Sequence, residues 1–293
     1  MNGWTGNILR IDLTTKTHRR ETFREEFAKK WVGGRGFALK ILWDELKPGI
    51  DPLGPENKFI VALGPIAGVP APNTGKAVVA AKSPLTGGYG DGNLGTRVSE
   101  HLRKAGYDVL IIEGQAASPT CLYIEDDRVQ FLAADELWGR GTVETNDWIY
   151  AKYGKNVGVL AIGPGGENRV LYAVVRSLEG RAGGRPGMGA VMGSKRLKAI
   201  VVRGTKSIPV ADPERMKAVG TGDLKKVRAI DKESGWSVQG TTGVLAWCNE
   251  VAALPVRNFR ETRHPDAWKI DGERLNEARV ATYGCPNCTM HCG

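Results

Sequence analysis

The chain has 293 residues, 41% of them apolar and 25% charged, with a formal net charge of +9. That length and apolar content allow one large domain or two modest ones, each with its own core, and no apolar run approaches the ~20 residues that a helix needs to span a bilayer. The cations are spread along the sequence without a nucleic-acid-binding motif, the N-terminus MNGWTGNILRIDL has neither a signal nor a transit pattern, and an odd total of five cysteines argues against a disulfide framework. A cytoplasmic protein that neither enters a membrane nor binds nucleic acid is therefore expected.

In chain order, short β-branched runs separated by glycine and proline predict strands at NILRIDL, KFIVALG, KAVVAAK, DVLIIEG, the hairpin CLYIEDDRVQFL, VGVLAIG, VLYAVVR and KAIVVRG. Amphipathic helices are predicted at about 37–46, 96–105 and 143–153. After SIPVADPERM the texture turns helical, with Asp212 as an N-cap and Pro213 at the first helical position. The expected fold is α+β, with a β-rich domain over 1–205 and the beginning of a helical domain over 206–293.

A repeat runs through the first part. VALGPIAG (61–68) resembles LAIGPGGE (160–167), each is followed by a glycine-rich segment, GDGNLG or GRAGGRPGMG, and each of these by a strand ending on glycine. The β-rich domain is expected to consist of two related halves about a pseudo-two-fold axis, with the two glycine-rich segments facing each other. Their glycines, at 87, 88, 90, 92 and 95 and at 180, 183, 184, 187 and 189, let backbone N–H groups approach a ligand. Asn93 precedes a predicted helix start, and Arg181 and Arg185 offer forked donors to phosphate. Paired anion cradles and ordinary turns are the two readings.

The chain closes on GCPNCTMHCG. Cys285, Cys288 and Cys292 at x2 and x3 spacing suit three corners of a [4Fe–4S] cube, and their sulfurs are expected to converge. Zinc is the competing metal, with His291 an awkward fourth ligand beside Cys292. Cys121 and Cys248 are read as plain buried thiols.

GWTGNILRIDL, GGRGFALKIL, GPIAG, KSPLTGGYGDGNLG, KAGYDVLIIEG, GPGGENRV, GRAGGRPGMGAVMGSKRLKAI, EVAALPVRNFRE and CPNCTMHCG occur in the order and spacing of the tungsten-containing aldehyde ferredoxin oxidoreductase family, which this chain resembles over essentially its whole length. The resemblance reaches the first half of a usual member, so the fourth cluster cysteine is expected in helical sequence beyond Gly293. It implies an oxidoreductase, as part of a longer chain, that oxidises aldehydes to carboxylic acids with ferredoxin or a partner iron–sulfur subunit as acceptor. The cofactors it implies are tungsten, or molybdenum, on a bis-pyranopterin, a [4Fe–4S] cluster held by Cys285, Cys288 and Cys292, and a magnesium ion on the backbone carbonyls of Asn93 and Ala182. It places Lys76, Leu94, Gly95, Arg181, Gly183 and Arg185 at the pterin as well. Lys76 stands where the family commonly has arginine, which keeps the charge and loses the planar fork. GNLGTR also departs from the usual Gly-Gly-Tyr/Phe run. The alternatives are the tungsten subunit of an aromatic acyl-CoA reductase, or a non-catalytic pterin- or cluster-binding module; a homo-oligomer fits any of these. No catalytic acid or base is assigned.

Overall fold

The computed structural model of the protein describes residues 1–177 and 179–292. Its contacts divide the chain into two compact units, Met1–Val69 with Thr74–Pro213, and Pro70–Asn73 with Glu214–Gly293.

The first unit holds two six-stranded mixed sheets. One is built from β1 (Asn7–Asp12), β2 (Thr17–Thr22), β3 (Phe59–Ala62), β4 (Lys76–Lys82), β5 (Tyr89–Gly95) and β6 (Val109–Glu113) in the order β2-β1-β6-β3-β4-β5. The other is built from β7 (Thr120–Glu125), β8 (Arg128–Ala133), β9 (Gly158–Ala161), β10 (Val175–Ser177), β11 (Ala182–Gly183) and β12 (Leu197–Arg203) in the order β8-β7-β12-β9-β10-β11. Adding six to each strand number converts one order into the other. The single parallel pair of each sheet also corresponds, β1 with β6 and β7 with β12. The repeat in the sequence is thus a repeat in topology.

Strand periodicity explains why so many of these runs are apolar throughout. Successive side chains point to opposite faces, and both faces of each sheet are covered. On β6, Leu110 and Ile112 join the core shared by the two sheets, while Val109 and Ile111 face an outer cluster with Ala28, Phe37 and Ala38. On β12, Ile200 and Val202 enter the shared core, and Ala199 and Val201 face Ile149 and Leu137. The outer cover is α1 (Glu25–Trp31) and α2 (Arg35–Glu45) on the first sheet, and α4 (Thr142–Tyr153) on the second.

Three further helices belong to this unit: α3 (Val98–Ala105), the single turn α5 (Pro164–Glu167) and α6 (Met188–Ser194). α3 follows β5 of the first sheet yet packs on β9 and β12 of the second; α6 follows β11 of the second and packs on β3 and β4 of the first as well as on β12. The halves therefore exchange helices across the shared core. Two ion pairs are buried at the helix ends. Arg103 pairs with Asp108, whose carboxylate also accepts from Gly6 N at 2.8 Å and Thr5 Oγ1 at 2.9 Å; Lys198 pairs with Glu167 and donates to Arg140 O at 2.7 Å.

Several expectations are corrected here. VLYAVVR is extended only from Val175, because Ala173 N turns back onto Val170 O at 2.8 Å and the residues before the strand abut Gly189 of α6. GDGNLG is itself the end of β5, and GMGAVMGS contains α6. β2, THRRET, carries its charges on the edge of its sheet, where they oppose pairing with another chain.

In the second unit α7 (Pro213–Ser234) opens on its proline, followed by α8 (Trp236–Gln239), α9 (Val244–Glu250) and α10 (Gly272–Ala278). Asp271 caps α10, its carboxylate accepting from Arg274 N at 3.0 Å. Few apolar side chains are buried here, Val256 and Ala267 among them, while Trp247, Phe259, Trp268 and Tyr283 are exposed. Among the described residues no helix is long and apolar enough to cross a membrane.

Candidate cofactor site and cysteine loop

The glycine-rich segments of the two halves meet at the edges of their sheets. A Cβ on Gly92 would stand 2.8 Å from Gly183 C and 2.7 Å from Gly184 Cα, so only glycine lets β5 and β11 come this close. Gly184 takes a φ of +81°, the left-handed region that glycine adopts without strain. The carbonyl oxygen of Asn93 lies 3.5 Å from where a Cβ on Gly183 would be. Standard bond lengths then confine the carbonyl oxygens of Asn93 and Ala182 to within about 8 Å of one another. Both residues are exposed, although 89 positions separate them.

The remaining candidates lie around this meeting point. Lys76 is exposed and opposite Gly95 in the β4–β5 register; Leu94 is buried and packs on Gly183. Gly95 O accepts from Ser177 Oγ at 2.9 Å, tying the end of β5 to β10. Arg181 is half-buried, its carbonyl accepting from Ser177 N at 2.7 Å, and Arg185 is exposed just beyond Gly184. Asp91, two residues before Asn93 on the same face of β5, holds the guanidinium of Arg35 at the start of α2 and accepts from Tyr89 Oη at 3.1 Å. Burial, followed by the Asp91 charge, pushes the Tyr89 phenol well above its ordinary range, and the same carboxylate raises Arg35.

The reading of helix N-termini as anion sites is not what the structure has. Asn93 lies within β5, and α3 begins only at Val98. Its first amides are occupied: Arg97 N donates to Glu179 Oε1 at 3.2 Å, and Val98 N to Thr96 Oγ1 at 3.1 Å. At α6 the amides of Gly187 and Met188 both bond Gly184 O. The protein's own acceptors satisfy the donors that a phosphate would otherwise take. Arg97, where the sequence departs from the family run, thus joins the two halves, its Nε 3.7 Å from Glu179 Oε1 and its guanidinium on Lys155 O at 3.1 Å, while Thr96 stays within the first half, its N donating to Gly75 O at 2.9 Å. No local signal marks Arg97, Ser177 and Glu179 in the sequence, because their partners are distant along the chain.

In the second unit Cys285, Cys288 and Cys292 are free, half-buried thiols. Cys288 N donates to Cys285 O at 3.0 Å, closing a turn, and Asn287 and His291 take positive φ of 57° and 47°. The His291 ring packs on Gly284 at 3.0 Å from the position of its missing Cβ. The sulfurs do not converge as expected: among the described residues no three His, Cys, Asp or Glu side chains are close enough to hold a metal ion. Thiols attract one another little, and it is the metal that gathers deprotonated ligands. The donor chemistry still fits a cluster. Directly after Cys288 in the sequence, the Thr289 hydroxyl is buried without a hydrogen-bond partner among the described residues. Of the other cysteines, Cys121 is buried, its thiol pushed up to about 12 mainly by burial, whereas Cys248 on α9 is only half-buried, contrary to expectation.

Two family models match the chain: "Aldehyde ferredoxin oxidoreductase, N-terminal domain" over residues 8–204, and "Aldehyde ferredoxin oxidoreductase, domains 2 & 3" over residues 219–293. The tungsten-containing aldehyde ferredoxin oxidoreductase of Pyrococcus abyssi is 42% identical over 100% of this chain and 49% of its own length. The aliphatic sulfonate oxidoreductase, WOR-like subunit, of Pyrococcus furiosus is 32% identical over 98% of this chain and 49% of its own length. A solved structure, described as the active site complex BamBC of benzoyl coenzyme A reductase with 1,5 dienoyl-CoA, superposes with a TM-score of 0.84 at 31% identity, covering 99% of this chain and 47% of that one. The chain spans about half the length of the curated relatives it matches.

Proposed function

Because this chain belongs to the aldehyde ferredoxin oxidoreductase family, we propose that it is the cofactor-binding part of a tungsten bis-pyranopterin, iron–sulfur oxidoreductase of the cytoplasm that oxidises aldehydes to carboxylic acids and passes electrons to ferredoxin or a partner iron–sulfur subunit. The observation that carries this reading is the meeting of Gly92–Leu94 with Ala182–Gly184 from opposite halves of a duplicated fold. Two equivalent edges placed face to face suit a ligand that is itself nearly two-fold.

In this reading the two halves would hold the bis-pterin between them, and the carbonyls of Asn93 and Ala182 would offer oxygen ligands to a magnesium ion, a cation that prefers them. Lys76, Arg181 and Arg185 offset phosphate charge, while Leu94, Gly95 and Gly183 supply a surface without protruding side chains. Cys285, Cys288 and Cys292 give three ligands to the [4Fe–4S] cluster. The bound cofactors supply the two-electron oxidation and its division into single-electron steps. The chain's own residues bind, orient and shield them. The likeness to the benzoyl coenzyme A reductase complex supports a second reading, reduction of an aromatic acyl-CoA by the same cofactors.

Metal and pterin analysis of the whole native polypeptide, purified without oxygen, tests the proposal. Tungsten or molybdenum with two pterins and at least four irons is expected. Zinc at the cysteines, with neither tungsten nor molybdenum present, would sink it. Turnover of aldehydes against aromatic acyl-CoA thioesters separates the two readings.

A further inference from the structure

Thr289 lies between the second and third cysteines of the loop, directly after Cys288. Its hydroxyl is cut off from solvent and has no hydrogen-bond partner among the described residues. A hydroxyl carries one proton to give and lone pairs to receive, and an unpartnered one in the interior is costly. The surrounding backbone is turned to other uses: Cys288 N is spent on Cys285 O, and Asn287 and His291 are left-handed on either side. What three cysteinates and a cluster bring to such a loop is sulfur, which only accepts.

We propose that the Thr289 hydroxyl donates a hydrogen bond to a sulfur of the cluster or of a ligating cysteinate, and thereby raises the reduction potential of that cluster. The inference rests on the cluster reading above. Reduction adds negative charge to the cluster, and a donor aimed at sulfur stabilises the more negative state, so removing it makes the cluster harder to reduce. Thr289 is thus a positioning and tuning residue, not a ligand.

The test uses the whole native polypeptide, prepared without oxygen, assayed for iron and sulfide and titrated with dithionite while the reduced cluster is followed by electron paramagnetic resonance. Thr289→Val keeps the shape and removes the donor. It should lower the ratio of reduced to oxidised cluster at fixed potential by about tenfold, which is about 59 mV for a one-electron couple. Thr289→Ser keeps the donor and should stay near the wild-type midpoint. Equal midpoints in wild type and Thr289→Val overturn the inference. Should that variant fail to retain iron, Thr289→Ala is compared with Thr289→Ser, where equal midpoints overturn it and a lower midpoint, or loss of iron from the alanine variant alone, supports it. Wild-type protein without iron overturns the cluster reading and the inference together, whereas an iron-loaded wild type with an unresponsive valine variant overturns the inference alone.

Discussion

The glycine edges of the first unit and the cysteine loop of the second are both candidate cofactor sites, and they differ in how far the polypeptide alone builds them. At the edges, backbone meets backbone with no room for a Cβ, and Ser177 on Gly95 and Arg97 on Glu179 and Lys155 lock the two halves together. In the loop three free thiols stand near each other in sequence but are not gathered, and a hydroxyl is left unmet. A surface made of packed strands exists before its ligand arrives. A ligand set made of side chains on a short turn takes its final form with the ligand.

Gly92→Ala should break the first site hardest, since the new methyl would enter the Gly184 backbone. A loss of at least about 3 kcal/mol is expected in chemical denaturation. Gly88→Ala, with only the Thr86 hydroxyl within 4 Å of the new atom, should shift stability by less than about 0.5 kcal/mol and so shows whether closeness, not glycine content, matters.

The prebuilt character of the first unit also predicts a pH dependence. Lys195 is fully buried, donates to Gly114 O at 2.9 Å and Pro55 O at 3.3 Å, and is held at about 7, mainly by desolvation and then by Lys58, against the opposing charges of Glu113, Asp12 and Glu56. The unfolded chain holds this proton up to about 10.5 and the folded one releases it near 7, so the unfolded state binds more protons between those values. Stability should therefore rise with pH across that window, with a slope from this group of at most about 1.4 kcal/mol per pH unit. Lys195→Met should remove that contribution, as thermal melts at pH 7 and pH 9 would reveal.

Cys288→Ser should leave the first unit's unfolding within about 0.5 kcal/mol of wild type while bound iron falls, because the loop adds little to the fold before its metal. A large stability loss in protein stripped of iron would instead place the loop among the prebuilt sites. Smallest is Lys76→Arg at an exposed position, expected to change stability by less than about 0.5 kcal/mol; gain or loss of pterin retention in that variant would tell whether the planar fork matters.

What could be read from the sequence follows physical lines. β3, β6, β9 and β12 are legible because sheets covered on both faces demand continuous apolar runs. β2, β5 and β11 are not, because edge strands rich in charge or glycine have no such demand. The two-fold order was legible from like motifs in like sequence, yet the exchange of α3 and α6 was not, since helical periodicity names a buried face without saying which sheet lies beneath it. Similarly, glycine spacing suggested anion cradles but did not show that Gly92 and Gly183 bring β5 and β11 of the two halves into contact. Cysteine spacing suggested a ligand set but could not show how the three thiols lie in the folded loop, because their arrangement depends on backbone turns such as the left-handed Asn287 and His291.

The exchange of helices bears on how such a protein could arise. An isolated 1–114 segment would present Leu102 and Val98 of α3 with no β9 or β12 to cover them, and its β3 and β4 would lack α6. In two intertwined copies of one half, each would lend its helix to the other and restore that cover. Joining those copies end to end would then have turned an encounter between molecules into a loop closure within one, and left each half free to diverge, one towards Asp91 and Asn93 and the other towards Arg181 and Ala182.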